Sequence, residues 1–180
     1  MGLSTDDQLQ AWFIAELGKH LALRGRKLIG WDEILDGGIA ENATVLSWRG
    51  EGGGITAAKA GHDVVMAPED RVYLDHYQAD PSTEPWAPRG LNTLEAILGW
   101  DPVPVELTPA QATRVLGAQA NVWVEYIPTR EHLDYMVLPR LCALADVAWG
   151  SPERDPADFV QRLGDHLRRL DALGVGYRKP

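Results

Sequence analysis

The sequence predicts an α/β protein of parallel β/α units, and three observations carry the prediction. Four short apolar runs alternate with stretches of helical periodicity, the order that parallel strands joined by right-handed crossovers produce. Glycines stand where the helical patterns stop, as at Gly25, Gly61 and Gly174. Three tryptophans, Trp31, Trp48 and Trp123, each close a strand signal and are followed at once by polar residues. That end of a parallel strand is where such folds build their sites.

The first element is a helix with Ser4 as N-cap, Asp6 and Asp7 in its first turn, and Leu9, Trp12, Phe13, Leu17 and Leu21 at helical spacing. The run 27–31, bounded by basic residues and containing Gly30, reads as a buried strand, with Asp32 and Glu33 just past its end. A second strand covers 43–48, and the glycine-rich loop Gly52 to Gly54 then opens a helix through Ala57, Ala58 and Ala60. A third strand covers 63–68 and runs into a long loop rich in Pro, aromatic and acidic residues, 69–109, a length usually tied to function. The fourth strand covers 115–123. A helical stretch follows over 131–148, with a kink or break at Pro139. The last helix begins at Asp155 and Pro156, buries Phe159, Val160, Leu163, Leu167 and Leu170, and ends at Leu173.

Composition narrows the function. The chain has 180 residues, 45% hydrophobic and 24% charged, with a formal net charge of -9; it can bury a sizeable core. An acidic chain without a Lys/Arg cluster repels phosphate backbones and anionic lipid, so neither nucleic acid nor membrane is the expected partner. Met1 to Gln10 contains no apolar signal core, and the compartment stays open. The lone Cys142 lies in an apolar helical stretch and reads as a small core residue. His20, His62, His76, His132 and His166 show no metal-ligand spacing, so no metal and no cofactor is implied. The loop Arg49 to Gly54 lacks the Lys-Ser/Thr of a phosphate-binding loop and the dinucleotide spacing.

Five blocks, taken in order, resemble one family. They are Gly30-Trp31-Asp32-Glu33-Ile34-Leu35, Ser47-Trp48-Arg49-Gly50, Tyr73-Leu74-Asp75, Gln119-Ala120-Asn121-Val122-Trp123-Val124-Glu125, and Pro139-Arg140-Leu141 with Ala145 through Trp149. Together they are similar to the second half of the catalytic barrel of the β-N-acetylhexosaminidases, glycoside hydrolase family 20. The resemblance spans nearly the whole chain. It implies that residues 1–180 are the C-terminal part of a catalytic (β/α)8 domain, with the four strands as the fifth to eighth of the barrel, a partial TIM barrel.

The family's chemistry follows from the same resemblance. Its substrates are glycans with terminal non-reducing N-acetylhexosamine, hydrolysed with retention. The sugar's own acetamido carbonyl attacks the anomeric carbon, which departs from the two-carboxylate scheme. Tyr73 matches the tyrosine that hydrogen-bonds the acetamido oxygen. Trp31, Trp48 and Trp123 match the aromatic walls of the sugar pocket, and Trp86 a further pocket tryptophan. Asp75 and Glu125 match carboxylates that accept sugar hydroxyls. The family's adjacent Asp-Glu pair, at the end of the fourth barrel strand, lies upstream of the first helix here, so the chain alone is expected to be inactive. A half barrel with exposed strand edges is expected to self-associate or to pair with the missing N-terminal half. Asp146 stands where the family commonly has Glu.

Read without the family, Asp32 and Glu33 are the only adjacent Asp-Glu pair directly at a strand end, which makes a small complete α/β hydrolase one alternative. A structural hydrogen-bonding role is the favoured reading of Glu33. A non-catalytic sugar-binding or interaction module using the same aromatic pocket is the main alternative, and an assembly scaffold without ligand a further one. Trp12, Trp100 and Trp149 read as core or packing residues.

Overall fold

A computed structural model describes residues 2–151 and 153–179. The order is α1 (Asp6–Ala22), β1 (Ile29–Trp31), a 3-10 turn (Asp32–Leu35), β2 (Thr44–Ser47), α2 (Gly52–Lys59), β3 (Val64–Met66) and α3 (Glu69–Val72). There follow a 3-10 turn (Pro81–Thr83), α4 (Leu94–Leu98), α5 (Pro109–Ala112), β4 (Val115–Ala118), α6 (Arg130–Val137), α7 (Arg140–Trp149) and α8 (Pro156–Leu173). The chain divides into two compact units, one of residues 1–68 with 103–117, the other of residues 69–102 with 118–180.

The first unit is built on a sheet of strand order β1-β2-β3-β4. The β1–β2 and β2–β3 pairs are parallel, with Gly30 opposite Val45 and Leu46 opposite Val65. The alternation of elements thus produces the parallel α/β class that it predicts. Val45, Val64 and Met66 are fully buried, and α2 lays Ala57 and Ala58 against them. Small residues suit α2 there: a Cβ on Gly54 would come within 2.6 Å of Met66 Sδ, so the helix start can approach the sheet only as glycine.

Several boundaries differ from the sequence reading. Thr5, not Ser4, caps α1, its side chain accepting the Gln8 N–H at 3.2 Å; Ser4 instead donates its own N–H to the Gln8 side chain at 2.8 Å. The stripe of α1 is not covered: no residue of the helix is buried, and Leu9, Trp12, Phe13 and Leu17 are exposed. The strand 115–123 stops at Ala118, and within it Gly117 takes a positive φ of 147°.

The second unit is helical. Its long loop is not structureless: α3, a 3-10 turn and α4 interrupt it, with Thr93 capping α4. The helical stretch 131–148 is split into α6 and α7 around a cis Leu138–Pro139 bond, as Pro139 predicts. Asp155 caps α8 and Gly174 ends it with φ 67°. Along α8, Phe159, Leu163 and Leu170 are buried, whereas Val160 is exposed. Asp146 on α7 accepts Arg162 of α8 at 2.7 Å, a short acidic side chain that reaches its partner without the extra methylene of Glu. Trp100 is buried, but Trp149 is 91% exposed and is not a core residue. Beyond α8, Arg178 donates to the buried Glu84 carboxylate at 2.6 Å, and Tyr135 donates to the same carboxylate at 2.8 Å.

Among the described residues, no helix is long and apolar enough to cross a membrane.

Candidate functional site

In the first unit the chemistry gathers at the C-terminal ends of β1 and β2. Trp31 closes β1 and Trp48 follows β2, both half-buried. Between them the chain does not continue as a strand but turns into the 3-10 turn 32–35, so Asp32 and Glu33 both reach the next strand's end. Asp32, buried, accepts the backbone N–H of Trp48 at 3.0 Å, that of Arg49 at 3.1 Å, and Arg49 Nε at 2.6 Å. These bonds hold Arg49 above the usual guanidinium value, the Asp32 bond first and Asp36 second. Glu33 accepts the Trp48 indole N–H on both carboxylate oxygens, at 3.0 and 2.9 Å. Neither acid is offered to a substrate as a free proton donor.

The glycine loop has a packing reason. Ser47 Oγ donates to Gly50 O at 2.8 Å and accepts Gly54 N–H at 2.7 Å. A Cβ at Gly53 would stand 2.9 Å from Asp32 Cβ and Oδ2. The glycines let the start of α2 close over the Asp32 carboxylate, and the Gly54 donor is already engaged by Ser47.

In the second unit, Tyr73 and Asn121 form a parallel bridge: Leu74 N–H donates to Asn121 O at 2.8 Å and Asn121 N–H to Val72 O at 3.0 Å. That bridge brings the 119–125 segment to the Tyr73–Asp75 segment. The Trp123 indole donates to the Tyr73 hydroxyl, while burial, the larger effect, pushes the Tyr73 phenol up. Tyr73 is therefore a neutral hydroxyl at physiological pH. Asp75 is only 4% exposed, and its Oδ1 has no hydrogen-bond partner. Burial raises its pKa above the usual carboxylate range. Isolated buried carboxylate oxygens are costly, and a ligand donor is one way to satisfy them.

Two residues that the sequence reading left without a role hold this segment. Arg140 is completely buried. Its Nη1 donates to His76 O at 3.1 Å, Asn92 O at 2.8 Å and Tyr77 O at 3.5 Å; its Nη2 donates to Leu74 O at 2.5 Å and Met136 O at 2.6 Å. Burial brings Arg140 down to about 9, so it stays protonated at neutral pH, aided by the charge of Asp75. Asn92, also buried, donates its side-chain amide to Glu69 O at 2.8 Å and Tyr73 O at 3.0 Å. The signal for Arg140 was present: Arg140, Ala143, Leu144 and Val147 are i, i+3, i+4 and i+7 of one helix face, and all are buried.

The remaining expected residues are more open. Trp123 and Trp86 are exposed, and Trp86 meets Tyr126 edge to face, ring centroids 4.3 Å apart. Glu125 is exposed in the turn after Trp123. Tyr73, Asp75, Trp86, Trp123 and Glu125 thus belong to the second unit, and Trp31 and Trp48 to the first. Within the second unit, a groove of about 560 Å³ lies along α7 and α8, lined by Leu141, Cys142, Ala145, Trp149, Phe159 and Leu163 among others, and contains none of these residues. Cys142 there is half-buried, and burial pushes its thiol up, away from reactivity. Among the described residues no three His, Cys, Asp or Glu gather to hold a metal ion.

Comparison with known proteins places these features in context. Residues 1–152 match the family model described as glycosyl hydrolase family 20, catalytic domain. A beta-hexosaminidase of Porphyromonas gingivalis is 49% identical over 181 residues, covering 99% of this chain and 23% of that protein. A beta-N-acetylhexosaminidase of Cellulomonas fimi is 34% identical, covering 83% of this chain and 31% of that protein. Among solved structures, a GH20 exo beta-N-acetylglucosaminidase from Vibrio harveyi in complex with N-acetylglucosamine superposes with a TM-score of 0.85 at 32% identity, covering 99% of this chain and 29% of that one. The chain therefore spans about a quarter to a third of the length of these relatives.

Proposed function

The chain belongs to glycosyl hydrolase family 20, and from that premise we propose that it is the C-terminal part of a β-N-acetylhexosaminidase catalytic domain, forming one wall of its N-acetylhexosamine pocket. In this reading residues 1–180 are one portion of a (β/α)8 barrel and β1 to β4 are its fifth to eighth strands. The observation that carries it is the Asp75 carboxylate, buried with Oδ1 unpartnered, two residues from the buried hydroxyl of Tyr73.

The roles follow from chemistry. In substrate-assisted retention the acetamido carbonyl oxygen bonds to the anomeric carbon as the glycosidic C–O bond breaks and the leaving oxygen takes a proton. Water then adds at the anomeric carbon and reopens the ring so formed. Tyr73, neutral and fixed by the Trp123 indole, donates a hydrogen bond to the acetamido oxygen and holds it for attack. Trp31, Trp48, Trp86 and Trp123 offer apolar faces to the sugar's C–H faces and exclude water from the reactive centre. Asp75 and Glu125 accept sugar hydroxyls through charge-assisted bonds. The proton donor and its partner carboxylate belong to the family's Asp-Glu pair, for which this chain offers no match; Asp32 and Glu33 are committed to Arg49 and Trp48. The chain alone then binds N-acetylhexosamine without hydrolysing it. The exposed stripe Leu9, Trp12, Phe13 and Leu17 on α1 supports pairing, with another copy or with the upstream half of the domain.

The test is hydrolysis of a chromogenic aryl β-N-acetylglucosaminide by the 180-residue chain, alongside calorimetric binding of N-acetylglucosamine. The expected result is binding without turnover, weakened in Asp75→Asn and Tyr73→Phe. Turnover that disappears in Glu33→Gln overturns the proposal and places the acid within the chain. Sedimentation of a compact monomer at micromolar concentration overturns the pairing.

A further inference from the structure

Both acids after β1 hold Trp48, Asp32 at its backbone N–H beside its bonds to Arg49 and Glu33 at its indole. Asp32 holds the Trp48 backbone N–H at 3.0 Å, and Glu33 holds the indole N–H, at the far end of the same side chain, on both of its oxygens at 3.0 and 2.9 Å. Asp32 fixes the backbone from which the side chain springs, and the indole bonds to Glu33 keep one rotamer, because neither side-chain torsion can turn without breaking them. Glu33 is itself anchored: its carbonyl accepts the Gln10 side chain from α1 at 2.8 Å and the Asp36 N–H at 3.0 Å. The 3-10 turn is what permits the grip, since successive residues on a strand would have pointed to opposite faces. Gly53 completes it by leaving room beside Asp32.

We propose that Glu33 is a positioning residue: its carboxylate clamps the Trp48 indole in the orientation that presents its face to an N-acetylhexosamine ring. The proposal rests on the sugar-pocket reading for what Trp48 faces, but the clamp can be measured without sugar. An indole N–H bonded to a carboxylate resonates away from one facing water, so the Nε1–H signal of Trp48 in a tryptophan-labelled chain, identified by its disappearance in Trp48→Phe, reports the bond directly.

In Glu33→Ala the Trp48 signal moves toward the solvent-exposed position and N-acetylglucosamine binds about tenfold more weakly, equivalent to about 1.4 kcal/mol. Glu33→Gln, which keeps one acceptor oxygen, recovers part of both and remains informative if the alanine variant does not fold. Because Phe has no N–H, adding Glu33→Gln to Trp48→Phe costs no further affinity. A Trp48 signal unmoved in both Glu33 variants overturns the clamp. Losses that add in the double variant overturn positioning and leave Glu33 a general structural acid. Absence of sugar binding by the unaltered chain overturns the sugar-pocket reading, while the indole signal still decides the clamp.

Discussion

Replacing Arg140 with Met removes the one donor shared by the carbonyls of Leu74, His76, Asn92 and Met136, while keeping a side chain of similar length to fill the space. Four of its five bonds lie between 2.5 and 3.1 Å, and the Tyr77 bond at 3.5 Å is at the limit of usefulness. Each buried carbonyl left without a donor costs about 1–3 kcal/mol. Against that, the variant no longer buries a charge that lacks a contacting carboxylate, which returns part of the loss. The balance is a destabilisation of about 3–5 kcal/mol, the range found when one partner of a buried charged network is removed. Arg140→Lys keeps the charge and three donors but not the planar fork, and should lose about 2 kcal/mol. Urea unfolding followed by tryptophan fluorescence, with amide exchange at residues 74–92, measures both. A loss under about 1 kcal/mol in Arg140→Met would refute the reasoning, since water would then be serving the carbonyls equally well.

Acidification should weaken N-acetylglucosamine binding. In the proposed pocket the ionised Asp75 accepts a sugar hydroxyl more strongly than its protonated form does, and burial raises its pKa, so affinity falls as pH drops, beginning above the pH at which an ordinary Asp protonates; Asp75→Asn should bind weakly with no such dependence by calorimetry. The fold itself should also lose stability in acid through His76, whose pKa burial lowers below the usual 6.5 despite Asp75 and Glu69, with Arg89 and Arg140 adding to the lowering. Its contribution is complete above pH 6.5 and is lost as pH falls through the lowered value. His76→Gln, which leaves Asn92 and the Tyr73 ring beside it, should show a smaller drop in urea midpoint between pH 7 and pH 5, and an equal drop would count against the assignment. Gly90→Ala should cost more than about 1 kcal/mol in the same assay, because Gly90 holds φ 73° and an added Cβ would overlap the His76 ring.

How far the sequence could be read depended on whether a signal was local. The parallel sheet was legible because the strand runs are short and apolar and alternate with helical stretches that stop at glycines, and the last helix because Asp155, Pro156 and Gly174 mark both ends. The expectation for Tyr73 and Asp75 rests on motif blocks alone, and that for Trp31 and Trp123 also on their place at the end of a strand signal. Local rules failed in two ways. The α1 stripe reads as buried, but burial depends on what covers it, and Leu9, Trp12, Phe13 and Leu17 stay exposed. The pair Asp32-Glu33 reads as a strand end, and the chain's turn into a 3-10 helix reverses the inference about where the two carboxylates point. Arg140 could be placed on the buried face by its spacing; that it serves carbonyls 48 to 66 residues away could not.

The contact between Arg178 and Glu84 joins residues 94 positions apart, and that separation bears on synthesis. A ribosome adding about 5–20 residues per second takes roughly 5–20 s to travel from one to the other. When the segment carrying Tyr73, Asp75, Glu84 and Trp86 is made, Arg178, which seals it at Glu84, and its donor Arg140 have still to follow. The pairs β1–β2 and β2–β3 form from near neighbours, but the loop that begins at Glu69 waits for Arg140 and Arg178. Nascent protein is therefore most open to proteases and to wrong association over residues 69–102, and a lesion at Arg178 would be felt first as lower yield.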